Sequence, residues 1–81
     1  MGFDEFILNS IGDEAMFVMH DYDTSITVDD IINDIFITSD CIYVTLENGS
    51  EITIGDWKTI EEVDNHYCLP NRMEIFFNGR V

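Results

Sequence analysis

The chain has 81 residues, of which 17 are acids and three are bases, for a formal net charge of −14 at pH 7. Three bases cannot neutralise a run of phosphates, so direct nucleic-acid binding is excluded, and a basic membrane-surface helix goes with it. Yet 46% of the residues are hydrophobic and 12% aromatic, a globular balance, and so short a chain makes one domain with a thin core.

Phe3, Phe6, Ile7 and Ile11 fall on one helical face, and Gly12 stands where a helix-ending glycine belongs. A short helix is therefore predicted over 3–11. Ala15 to His20 is an apolar run that reads as a strand, closed by the polar stretch 21–25. Thr27 followed by Asp30 resembles an N-cap with an acid at N3, which predicts one or two helical turns over 28–34. A strand is the alternative there, because Ile26 and Val28 alternate with polar neighbours.

The centre is better specified. Ile35 to Ile37, Cys41 to Leu46 and Ile52 to Ile54 are β-branched or aromatic runs separated by Ser39-Asp40 and Asn48-Gly49. A three-residue loop, Glu47-Asn48-Gly49 with Gly49 left-handed, pairs Val44 with Ile52 and Ile42 with Ile54, leaving one face wholly apolar. A two-residue loop would mix polar and apolar residues on both faces, so the odd loop wins. On the other side, a Ser39-Asp40 turn pairs Ile37 with Ile42 and Ile35 with Val44. Tyr43, Thr45, Glu51 and Thr53 then share the polar face. Thr59-Ile60-Glu61-Glu62 is a capping box, which predicts a short helix with Ile60 and Val63 inward. Pro70 interrupts, and Met73 to Phe77 reads as a last strand ending at Asn78-Gly79. The expected fold is α+β: one domain over residues 1–81, with an antiparallel sheet of four or five strands and two or three short helices on one face. Its centre is a three-stranded meander over about 35–54.

Chemistry is sparse. Asp21, Asp23, Ser25, Thr27 and Asp29 alternate like calcium ligands, but an EF-hand counted from Asp21 needs glycine and glutamate where Ile26 and Ile32 stand. His66 and Cys68 have no second pair at zinc spacing, and no base lies near enough to activate the thiol except Arg72. Carboxylates are too abundant for any one pair to signal acid–base work, and no glycine-rich phosphate loop occurs. Neither an enzyme nor a metal or other cofactor is expected. No apolar run approaches the roughly 18 residues of a membrane span. The first residues lack the basic and apolar regions of a secretory signal, so a cytoplasmic protein with Cys41 and Cys68 reduced is expected.

The charge is unevenly placed. Residues 1–57 hold 13 acids and no base, while Glu61, Glu62, Asp64 and Glu74 face Lys58, Arg72 and Arg80 in the remainder. Solubility is satisfied by a net charge of about 2–8, and further repelling carboxylates destabilise a compact state. Such an excess points to a cationic counterpart. The candidate contact residues are Asp21, Asp23, Asp29, Asp30, Asp34, Asp40, Glu47 and Glu51, with Tyr22 and Tyr43 as aromatic anchors. Trp57, just ahead of the capping box, is expected in the core.

In size, charge and mixed α/β character the chain resembles the small acidic DNA-mimic inhibitors of phages and mobile elements, among them anti-CRISPR, anti-restriction and uracil-glycosylase inhibitor proteins. The resemblance assigns no individual residue. It implies an inhibitor, monomeric or homodimeric, that covers the basic surface of a nucleic-acid-binding protein or nuclease and touches neither nucleic acid nor membrane. Three alternatives share parts of this profile: an immunity or antitoxin protein against a basic nuclease toxin, an assembly domain, and a divalent-cation buffer.

Overall fold

The computed structural model of the chain describes residues 2–69 and 72–77. Pro70, Asn78 and Gly79, read above as a break and a strand end, lie outside them.

The expected α+β fold does not form. The described chain is mostly strand, with one short helix, one 3-10 turn and a seven-stranded antiparallel sheet. Helix α1 spans Phe3–Leu8, and the strands are β1 Glu14–Asp21, β2 Thr24–Ile37, β3 Cys41–Leu46, β4 Glu51–Gly55, β5 Glu61–Val63, β6 His66–Leu69 and β7 Met73–Phe77. Their order across the sheet is β4-β3-β2-β1-β7-β6-β5. Seven strands about 4.8 Å apart would make a flat layer about 29 Å wide and only about 10 Å thick. The principal extents are 31 × 27 × 25 Å, so the sheet folds over and buries one face against itself.

The hinge of that fold is β2. Its first half pairs with β1 from Thr24 to Ile31, and its second half pairs with β3 from Ile32 to Ile37, with a register shift between Ile32 and Asp34. Asn33 is thus an extra residue, a bulge that bends the strand. The bulge also explains why the helix expected over 28–34 is absent. Val28, Ile32 and Ile35 are four and three residues apart, as on a helix face, because the bulge slips an alternating pattern by one place.

The second expected helix is replaced too. Thr59 Oγ1 donates backward to the Asp56 carbonyl at 2.8 Å, and among the described residues no helix follows it. Trp57–Thr59 makes only a 3-10 turn, Ile60 is extended, and β5 follows. Asp64 and Asn65 both take left-handed φ, 45° and 69°, and close a two-residue hairpin into β6.

The meander forms in the expected register: Ile37 pairs with Ile42, Ile35 with Val44, Val44 with Ile52 and Ile42 with Ile54. Gly49 has φ +93°, as the three-residue loop requires. Ile35, Ile42, Val44, Leu46, Ile52 and Ile54 line its inner face, opposite Ala15, Phe17, Leu69, Met73, Ile75 and Phe77 from the other half. Phe3 and Ile7 of α1 close one end of this core, where Phe3, Phe6, Tyr67 and Phe77 form an aromatic cluster with ring centroids 4.9–6.5 Å apart. Ser10 is the one buried polar residue among those described, and its hydroxyl donates to the Phe6 carbonyl at 2.9 Å.

Candidate contact face

The meander buries one face, so alternation presents the other to solvent. Two cross-strand rows cross it: Asp34–Thr45–Glu51, and Phe36–Tyr43–Thr53. Phe36 is 64% exposed, and its ring stacks on Tyr43 with centroids 6.2 Å apart and planes 28° apart. Asp34 and Glu51, both exposed, flank Thr45 in the neighbouring row, two strand spacings or about 9.6 Å from each other. Asp40, exposed in the β2–β3 turn, borders the opposite end. No Lys or Arg occupies either row. At the centre, the Tyr43 hydroxyl is held above the ordinary tyrosine value, first by the neighbouring Cys41, then by desolvation and the Glu51 and Asp40 carboxylates.

The ten residues singled out from sequence fall in three places. Asp34, Asp40, Tyr43 and Glu51 come together on this face, with Glu47 exposed in the adjoining β3–β4 turn. Asp21, Tyr22 and Asp23 form the tip of the β1–β2 hairpin, where Tyr22 has φ 47° and a fully exposed side chain. Asp29 and Asp30 lie on β2 before the bulge. Asp30 does structural work: its Oδ1 accepts from the Ile31 N–H at 2.8 Å and its Oδ2 from the Asn48 N–H at 3.0 Å, tying the β3–β4 turn to β2. Asp30 and Asp34 do not share a row, since Asp30 pairs with Ala15 and Asp34 with Thr45. Phe36 is the residue the sequence reading does not single out. Its signal was the register itself, which sets Phe36 opposite Tyr43.

The described bases are already engaged. Arg72 reaches the Asp56 carboxylate at 3.3 Å and the Gly55 carbonyl at 3.1 Å, while the Lys58 ammonium lies 5.7 Å from the centre of the Trp57 ring. Trp57 is half-buried against the core, and its indole N–H donates to the Thr38 carbonyl at 2.9 Å. Beside it lies an open cleft of about 350 Å³, lined by Phe3, Asp4, Lys58, Ile60, Glu62 and Tyr67. Burial, and to a lesser degree Glu62, raises the Tyr67 hydroxyl above its usual value. Cys41 and Cys68 are free thiols. Among the described residues no group of three or more His, Cys, Asp and Glu side chains could hold a metal ion, and no helix is long and apolar enough to cross a membrane.

Compared with protein-family models, with curated proteins and with solved structures, the chain matches none.

Proposed function

We propose that the chain is a small anionic inhibitor, acting in the cytoplasm, that covers the cationic surface of a nucleic-acid-handling protein. The observation that supports this reading is the outer face of the meander: a stacked, exposed Phe36–Tyr43 pair bordered by Asp34, Glu51 and Asp40, with no base in either row. Aromatic faces attract guanidinium and ammonium groups, and carboxylates beside them pair with the same cations. A Lys- or Arg-rich surface answers both demands. Asp34 and Glu51, about 9.6 Å apart, fix negative charge on the same side of the sheet as the aromatic pair. The excess charge elsewhere on the chain would speed encounter.

The test is capture from the lysate of the cell in which the protein acts, at low and high salt, with wild type and an Asp34→Lys/Glu51→Lys variant. The reading expects basic nucleic-acid-binding proteins to be retained at about 50 mM salt, released at about 500 mM, and not retained by the variant. Glu61→Lys/Glu62→Lys should capture as wild type does. Equal loss from both variants, or retention that survives high salt, overturns it.

A further inference from the structure

β2 has an open edge. Its residues Thr24–Ile31 pair with β1 on one side, whereas β3 pairs only from Ile32 onward on the other. Which backbone groups face that opening follows from the printed hydrogen bonds. On the β1 side, the Gly12 N–H donates to the Ile32 carbonyl at 2.8 Å and the Ile32 N–H to the Asp13 carbonyl at 3.0 Å. Ile31 is turned the other way: its N–H donates to Asp30 Oδ1, and its carbonyl accepts from the Glu47 N–H at 2.9 Å. Antiparallel strands alternate the direction of successive residues, so Asp29, Thr27 and Ser25 point their N–H and C=O the same way as Ile31. Among the described residues no strand meets them.

Proteins usually blunt such an edge with charged side chains, Pro or a bulge. Residues 24–30 contain no Lys, Arg, Pro or bulge, their charge is the acidic pair Asp29 and Asp30, and Ile26 is 62% exposed. Carboxylates do surround the edge: Asp21 and Asp23 at the hairpin tip, Asp29 and Asp30 along the strand, and Glu47 where β3 leaves off. A second copy would bring like charges together. A strand bearing Lys or Arg would relieve them.

We infer that the Thr24–Asp30 edge of β2 takes up an extended, basic segment of the partner by strand addition. Its side chains would alternate, with Lys or Arg beside Asp29 on the outer face and a β-branched apolar residue beside Ile26 and Val28 on the inner one. The inference rests on the proposal above that the partner is basic, but it concerns a different surface, reached through backbone groups.

The probe is a synthetic peptide of alternating lysine and valine, titrated into the isotope-labelled chain while amide exchange is followed residue by residue. Its twin is N-methylated on the edge-facing amides, which keeps charge and side chains but removes the donors. The expected result is slowed exchange at Ser25, Thr27 and Asp29, and affinity weaker by about ten-fold or more for the twin, as two lost hydrogen bonds imply. Thr27→Pro should weaken the unmodified peptide similarly, since it removes an open-side N–H and leaves the β1 ladder intact. If that variant fails to fold, the methylated twin still decides. Equal binding by the twin overturns the inference, as does equal binding by a glutamate–valine peptide. No binding at all also overturns it, and so does protection of the same amides by self-association without peptide. Protection confined to Tyr43 and Glu51 would remove strand addition and leave the basic-partner reading standing.

Discussion

Ile35 and Phe36 are adjacent in sequence and opposite in fate, so truncating each in turn separates folding from recognition. Ile35 is 9% exposed and sits among Val44, Ile42 and Ile32, so Ile35→Ala removes packed methylenes and should cost about 2–5 kcal/mol. With a urea slope of about 1 kcal/mol/M for so small a domain, the midpoint should fall by roughly 2 M or more. Phe36 is 64% exposed, so only about a third of the 1.5–3 kcal/mol for a fully buried side chain is at stake. At the same slope its lost burial should move the midpoint by about 0.5–1 M and the exposed stack on Tyr43 by about 0.5 M more, less than Ile35→Ala. Recognition should run in reverse: an exposed aromatic anchor is worth about 2 kcal/mol or more in an interface, so Phe36→Ala should weaken captured-partner binding about 30-fold. Urea unfolding followed by intrinsic fluorescence gives the first pair of values, and titration calorimetry against the captured partner gives the binding loss. Destabilisation by Phe36→Ala equal to that of Ile35→Ala, or unchanged binding, would refute the reasoning.

Three further outcomes follow from the same structure. Raising sodium chloride from about 10 to 300 mM should raise Tm, because it screens fourteen net negative charges confined to one small domain, and a falling Tm would contradict this. Tyr67 is raised by burial and by Glu62, so its neutral form is favoured when folded; the stability it lends is complete below the ordinary tyrosine value and is lost as pH climbs through the raised one. Tyr67→Phe should therefore lose less Tm than wild type between about pH 9 and 11 in thermal melts. Gly49→Ala should cost about 1 kcal/mol by urea unfolding, since φ +93° strains any residue with a Cβ although the space around it is open.

The meander was legible because two constraints agreed. Its β-branched alternation allowed one register with an all-apolar face, and Gly49 supplied the left-handed residue that register needs. That register already carried the contact face, with Tyr43, Thr45 and Glu51 on the outer side. Elsewhere local patterns misled. The bulge at Asn33 turned alternation into helical spacing, and only long pairing with β1 reveals the strand. The capping box was overridden by the left-handed pair Asp64-Asn65 just beyond it, which closes the β5–β6 hairpin. Asp30 looked like any exposed carboxylate, yet both its oxygens are held by backbone N–H groups from β2 and the β3–β4 turn. Such ties across eighteen residues of chain leave no trace in local composition.

The central claim is that this chain competes with nucleic acid for a cationic surface, and competition measures it directly. A labelled DNA duplex bound to the captured partner should be displaced by the wild-type chain at near-equimolar concentration, with affinity falling steeply as salt rises, and Asp34→Lys/Glu51→Lys should displace nothing. A duplex that stays bound while the chain occupies the same partner would contradict the claim.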